Sequence, residues 1–370
     1  MYKRFVIMML VLLISATCIN GRAAETMRTV VDATGRKVKV PDPVKHVICS
    51  GPGALRLLTY LQGQDLVVGV DDIEAGRRRF DARPYALANP IYKQQPIFGE
   101  FRGFDHPELI LSLKTPPQVI FKTFATMGHD PQELQEKTGI PTVILEYGNL
   151  GSRRDDLFQS LRIMGDVVGR RSRAEKVIAF LEAVIADLEQ RTAAIPLSRK
   201  KTCYVGGIAY KGSHGLRSTE PSYPPFLFVN AANVAGNAAS RGEAGRQVTI
   251  AKEQLLVWDP DVLFLDLATL QLEGAASGLW EIRNDPALKT LRAVQAGKVY
   301  GLLPYNWYTK NFGSILADAY FIGKVLYPDA FKDVDPAAKA DDMYSFLVGA
   351  PVFKEMNAAF GNMVFTAIKE

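Results

Sequence analysis

The residues best suited to chemistry sit in two stretches of the second half of the chain. Gly206-Gly207-Ile208-Ala209-Tyr210-Lys211-Gly212-Ser213-His214-Gly215 follows an apolar run. Its glycines let the backbone approach a ligand, and Tyr210, Lys211, Ser213 and His214 add a phenol, a cation, a hydroxyl and an imidazole. Leu303 to Asn311 sets Tyr305, Trp307 and Tyr308 among the amides Asn306 and Asn311. Three aromatics with amides suit a flat or chelated ligand with polar edges. The first half adds Ser50-Gly51-Pro52-Gly53, Asp71-Asp72, Gly99-Glu100-Phe101-Arg102, Lys122-Thr123 and Tyr147. Except for 99–102, which falls in a predicted loop, each follows or ends a predicted strand, where glycine N–H groups can meet an anion. Taken singly, the glycines also fit ordinary turns, His214 a satisfied loop histidine, and the aromatics simple loop packing. Arg77-Arg78-Arg79 could attract an acidic ligand or be a solvated face.

These groups favour reversible binding over turnover. The sequence has no nucleophile elbow, no HExxH and no dinucleotide-type glycine pattern in a strand–helix context. Gly206-Gly207 lacks the required spacing. Four histidines, with no Cys–His cluster, give no zinc-ligand set. The reading is therefore of a non-enzyme with no metal centre and no cofactor of its own.

The elements that position these residues alternate between strand and short helix. Predicted strands are 44–49, 66–70, 119–123 and 142–145, then 202–206, 262–265 and 299–302, with 74–96 and 99–103 as loops. Short helices fall at 54–61, 107–113, 131–138, 223–230 and 250–258, with a turn at 288–291. A longer helix spans 311–326, and 341–369 reads as terminal helices. Two short strands around Thr34-Gly35 open the fold. Alternation of this kind implies mostly parallel sheets. In such sheets ligands bind outside the carboxyl ends of the strands. Mid-chain, Val177, Ile178, Leu181, Val184, Ile185 and Leu188 recur at helical spacing with no Gly or Pro until Pro196. That predicts a helix of about 20 residues, roughly 30 Å long, opened by a Ser172–Glu175 capping box. It reads as a stiff rod between two lobes, the alternative being an ordinary amphipathic core helix.

Composition bounds the rest. The chain has 370 residues, 48% hydrophobic and 22% charged, which is globular and long enough for two domains. Lys3 and Arg4 precede an apolar run from Phe5 to Ile14, and small residues follow through Ala23-Ala24. This reads as a secretory signal peptide, residues 1–23. Ser15 and Thr17 make Cys18 a poor lipidation site. Removing Lys3, Arg4 and Arg22 takes the net charge from +5 to +2, which with no nucleic-acid motif excludes a nucleic-acid binder. Cys49 and Cys203 lie in opposite halves. They read as separate buried thiols, although export would permit a disulfide. The predicted organisation is a lobe at 24–152, connecting helices at 153–195, and a second lobe at 196–370.

The two halves share a phrase. Glu108 opens a short helix before Val119-Ile120-Phe121, and Glu253 opens another before Val262-Leu263-Phe264-Leu265. An acid at a helix N-terminus is favourable in itself. Together with the opening strand pair, Gly169-Arg170-Arg171-Ser172-Arg173-Ala174-Glu175 and Ala296-Gly297-Lys298-Val299-Tyr300, these phrases resemble the substrate-binding proteins of the iron-siderophore, haem and cobalamin group of ABC importers. The resemblance covers roughly residues 29–327. It implies two three-layer α/β lobes with mostly parallel sheets, joined by one long helix, a ligand in the cleft, and limited hinge motion. It also implies docking of Glu108 and Glu253 on arginines of an ABC permease dimer, by a monomer in the periplasm.

The expected cleft residues are Ser50, Gly51, Lys122, Tyr210, Lys211, Ser213, His214, Tyr305, Trp307 and Tyr308. The expected ligand is an iron-siderophore or similar metal complex. Molybdate or tungstate is the alternative within the fold, and haem or cobalamin would need a wider apolar cleft. A two-lobed chelatase-like enzyme or a sensory binding module are the readings from other classes.

Overall fold

The computed structural model describes residues 26–76, 80–236 and 247–369. The signal segment, Cys18 and the Arg77–Arg79 run lie outside them. The first lobe holds a three-stranded parallel sheet with Val119–Thr123 between Val47–Ser50 and Thr142–Leu145. The second holds a four-stranded parallel sheet in the order Ala232–Asn233, Thr202–Gly206, Val262–Asp266, Val299–Leu302. Both central strands are buried throughout, as parallel strands covered on both faces must be. The antiparallel pair Thr26–Val31 and Lys37–Asp42 opens the fold. Asp32 in its turn is buried and bonds Thr34 and Arg36.

Local chemistry explains most boundaries. Proline opens the helices Pro107–Leu111, Pro131–Thr138, Pro224–Phe228 and Pro336–Val348, where its missing N–H costs nothing. Asp130 and Asp335 cap two of these through paired backbone N–H groups. Several expectations need correcting. Leu66 ends a 3₁₀ turn, Gln64–Leu66, and the strand there shrinks to Val70–Asp71. The segment 74–96 contains the helix Pro84–Ala88 and a 3₁₀ turn, not a plain loop. Ile97–Glu100 is a strand, paired with Val70–Asp71 and with Phe104–Asp105. The chain end is helical only through Phe353–Ala359; beyond it Val364 and Ala367 bridge the edge strand Val299–Leu302.

The long helix runs from Arg171 to Thr192. It buries one stripe, Ala174, Val177, Ile178, Leu181, Ile185 and Leu188, and leaves Glu182, Ala186 and Glu189 exposed. The expected capping box does not form, because Glu175 pairs with Arg162 and Arg171 instead. Two guanidiniums outcompete a single backbone N–H for that carboxylate.

A single apolar cluster passes through both lobes. It runs from Val47 and Phe121, past Leu181, to Phe264 and Phe312. Other contacts span the same boundary. Asn89 Nδ2 donates to the Val348 carbonyl at 3.2 Å, Arg173 on the long helix donates to the carbonyls of both Tyr60 and Phe346, and Phe80 stacks on Phe360 at 5.6 Å. An interface this apolar resists wide hinge motion.

Candidate functional site

The carboxyl ends of the two sheets meet at a strap, residues 305–311, that leaves the second lobe and lies against the first. Arg56, on the helix Ala54–Tyr60, is 1% exposed. Its guanidinium donates to the carbonyls of Trp307 and Tyr308, each at 3.1 Å, and of Lys310 at 2.9 Å. The Tyr147 hydroxyl donates to the Lys310 carbonyl at 2.6 Å. Gly53 has φ +81°, and a Cβ there would sit 2.7 Å from the Thr309 methyl and collide with the Tyr147 ring. Glycine is needed here for the approach of the lobes, not for a bare N–H.

Several expected contacts are already spent internally. Lys122 is fully buried. Its ammonium meets Asp105 Oδ2 at 2.7 Å, Ser50 Oγ at 3.0 Å and the Gly103 carbonyl at 3.1 Å. Ser50 in turn donates to Asp105 at 2.7 Å. All three ammonium donors therefore have acceptors. Gly51 is buried, and a Cβ there would stand 2.5 Å from the Thr123 carbonyl oxygen. Tyr305 is buried with its hydroxyl on the Glu220 carboxylate. Burial pushes Glu220 up despite the nearby Lys310 charge and the Tyr305 bond. Trp307 is buried edge-on to Phe360. Tyr308 donates to Asp71 Oδ2 at 2.5 Å and accepts from the Arg102 N–H at 3.1 Å. Burial first, then the Glu74 charge, raise Asp71 well above the usual carboxylate range.

Other groups remain presented to solvent. Tyr210 and Lys211 are exposed, with the ammonium 5.6 Å from the Tyr210 ring centroid. His214 and Ser213 are half-buried. His214 Nε2 lies 2.8 Å from the Tyr210 carbonyl, and Ser213 Oγ accepts from Gln271 at 2.5 Å. Asn306 Nδ2 donates to the Ala209 carbonyl at 2.6 Å, which ties this loop to the strap. On the first lobe, Phe124 is exposed and stacks on Tyr147 at 5.9 Å. Arg102 is exposed and lies over the Phe101 ring at 4.9 Å.

These edges share a backbone feature. Arg102, Phe124, Lys211, Tyr308 and Thr309 all adopt positive φ, between 49° and 66°. Non-glycine residues avoid that region unless their surroundings enforce it, and such strain concentrates at functional sites. Arg102, Lys211 and Lys310 have no carboxylate within ion-pair distance among the described residues. The edge thus offers a cation from each lobe, Arg102 and Lys211, without an ion-pair partner among the described residues, while Lys310 lies near the Glu220 carboxyl.

Sequence reasoning named the strap and the glycine-rich loop but missed Arg56, Asp105 and Phe124. A lone arginine in Ala54-Leu55-Arg56-Leu57-Leu58 was the available signal, since a cation in an apolar helix needs buried acceptors. Nothing in the sequence marks the pairing of Asp105 with Lys122.

Glu108 and Glu253 are exposed, in the first turns of Pro107–Leu111 and Lys252–Trp258. Each helix leads into the central strand of its lobe's sheet. Neither carboxylate makes an ion pair or side-chain hydrogen bond among the described residues.

Comparison with known proteins agrees with this architecture. A curated relative, the molybdate-binding protein MolA of Haemophilus influenzae, is 22% identical over 341 residues, covering 86% of this chain and 90% of its own. The solved structure of a periplasmic solute-binding protein from Veillonella parvula superposes with TM-score 0.69 at 18% identity, over 92% of this chain and 98% of the other. MolA bound to molybdate superposes with TM-score 0.63 at 20% identity, over 87% and 98%. At such identities these structures establish the shared fold. The profile described as periplasmic binding protein matches residues 47–305, well over half of the sequence, and the chain belongs to that family.

Proposed function

We propose that this protein captures a small anionic metal species between its lobes, an oxyanion of the molybdate class, and delivers it to the permease of an ABC importer. The observation that carries this reading is the pair of exposed cations on the facing edges, Arg102 of the first lobe and Lys211 of the second, each on positive-φ backbone and without an ion-pair partner among the described residues. Unpaired cations at a partly desolvated edge attract an anion more strongly than paired ones. The strap bonded to Arg56 and Tyr147 holds the lobes close, which favours a small ligand over haem or cobalamin. A relative described as molybdate-binding supports the same class. Tyr210, Lys211, Ser213 and His214 form the second-lobe wall of the site, and Arg102 and Phe124 the first. Ser50, Gly51, Lys122, Tyr305 and Trp307 support that wall from below.

A second reading keeps the metal chelate, an iron-siderophore. Its support is aromatic: Phe124 and Tyr210 are 37% and 39% exposed, and the Lys211 ammonium lies over the Tyr210 ring, as a chelate with a flat, polar-edged face would require. In both readings the protein acts as an exported monomer. The helix Arg171–Thr192 serves as the spar between lobes, and Glu108 and Glu253 meet cationic residues of the permease dimer.

Calorimetric titration of the purified protein with molybdate, tungstate, sulfate and ferric catecholate and hydroxamate chelates tests this. Saturable binding of molybdate or tungstate, with sulfate rejected, is the expected result. Binding of a ferric chelate alone moves the assignment to the second reading. No heat with any of them removes the cleft-edge site.

A further inference from the structure

The loop Phe101-Arg102-Gly103 carries the proposed first-lobe cation, and it is held at three points. The Phe101 N–H donates to Asp72 Oδ1 at 2.7 Å. The Gly103 carbonyl accepts from the Lys122 ammonium at 3.1 Å and from the His129 N–H at 2.9 Å. Both supports lie within the first lobe. The third crosses the cleft: the Arg102 N–H donates to the Tyr308 hydroxyl, itself fixed by Asp71. Arg102 sits between these supports at φ 66°, ψ 25°, a conformation that relaxes unless neighbours hold it.

We infer that Tyr308 is a positioning residue rather than a ligand contact: through its hydroxyl, the second lobe sets the backbone of Arg102 and so aims the first lobe's cation. The inference rests on the cleft-edge reading above. The Tyr308 phenol spends its one proton on Asp71 and already accepts from the Arg102 N–H. Its ring packs at 6.3 Å from that of Phe101, so it is held on the loop by both ends. Separation of the lobes withdraws the hydroxyl and frees Arg102 while leaving the Asp72 and Lys122 supports in place. Only the closed arrangement then presents the cation in its set position. Affinity is tied to closure at one backbone N–H.

Tyr308→Phe tests this, since it removes the hydroxyl and keeps the ring. The first readout needs no ligand. Amide exchange at Arg102 should accelerate by about tenfold or more while Phe101, His129 and the central strand Val119–Thr123 keep wild-type protection. Asp71→Ala, which leaves the phenol unanchored, should accelerate the same amide. Unchanged Arg102 exchange in both variants overturns the inference. The second readout is molybdate affinity in a double-mutant cycle. Tyr308→Phe should weaken binding about three- to tenfold in the wild-type background, the worth of one hydrogen bond, and hardly at all in Arg102→Gln. An equal loss in both backgrounds overturns the inference, because a general loosening of the strap does not depend on Arg102. If wild-type protein ignores molybdate, the ligand assignment fails, and the exchange measurement still decides the role of Tyr308.

Discussion

Arg56 and Tyr147 belong to the first lobe and share one acceptor in the second, the Lys310 carbonyl, at 2.9 Å and 2.6 Å. They also bond each other at 2.5 Å. A guanidinium with no ion-paired carboxylate thus places three of its hydrogen bonds on the main chain of the opposite lobe, and its Nε is left without a partner. Arg56→Met keeps the length of the side chain but strands the Tyr308 carbonyl, since the Trp307 carbonyl also accepts from Asn311 and the Lys310 carbonyl from Tyr147. Each buried acceptor left unmet costs about 1–3 kcal/mol. Urea denaturation should therefore show a loss of about 1–3 kcal/mol. A loss under about 1 kcal/mol would mean the strap is held by apolar packing alone.

Lys122 and Asp105 make a second buried pair, both at 1% side-chain exposure or less. Removing one partner leaves an unpaired charge in the core, a cost of about 3–5 kcal/mol. Lys122→Met should be destabilised on that scale. The double variant Lys122→Met with Asp105→Leu should recover much of the loss, since no charge is then stranded. Because the ammonium is spent on three internal acceptors and reaches the ligand only through the Gly103 carbonyl, folded Lys122→Met should lose affinity by no more than Tyr308→Phe does. A large drop in affinity without a drop in stability would return Lys122 to the ligand's side.

Asp266 and Asp318 are fully buried in the second lobe. Each has one oxygen on a backbone N–H, Ala268 and Leu303 respectively, and one without a partner. Burial pushes both carboxyls well above their usual range, and the Asp266 charge adds to the rise at Asp318. The folded chain therefore holds these protons more tightly than the unfolded chain does. Their contribution to stability is full below the unfolded pKa near about 4 and is lost as pH rises through the folded values. Asp318→Asn removes the term. The stability of this variant relative to wild type should improve steadily from pH 4 to pH 7 in denaturant titrations. A constant difference across that range would show that Asp318 carries no raised pKa.

The lobes and their sheets were legible because their signals are local. Val119–Thr123, Thr142–Leu145 and Val299–Leu302 are short apolar runs between turns, and the structure forms them at the predicted bounds. The Ser172–Glu175 box misled because capping depends on competitors, and Arg162 lies on another helix. The glycine-rich loop and the strap were visible as loops with unusual chemistry. Which of their side chains face inward was not, because Tyr305 turns to Glu220, and Tyr308 to Asp71, through long-range contacts that no spacing encodes. Arg102 was visible as the end of the run 99–102 and Phe124 was not, and the positive φ of both, 66° and 51°, leaves no mark on a sequence of ordinary residues.

Glu108 and Glu253 occupy corresponding places in the two lobes. Each is the second residue of a short helix that feeds a central strand, and two positions on, Ile110 and Leu255 anchor their helices with fully buried side chains. Rigid anchoring holds the two carboxylates at a fixed spacing, which suits a two-point contact with a dimeric partner. Capping alone would make either glutamate worth about 0.3–1 kcal/mol of stability and nothing for transport. Glu108→Lys with Glu253→Lys should therefore leave ligand titrations unchanged. It should abolish uptake into cells that carry the permease, and each single reversal should give a partial loss. Glu108→Gln with Glu253→Gln separates the charge from the contact, because it removes attraction without adding repulsion and should slow uptake less than the lysine pair does. Full uptake by the double lysine variant would reduce both residues to helix caps.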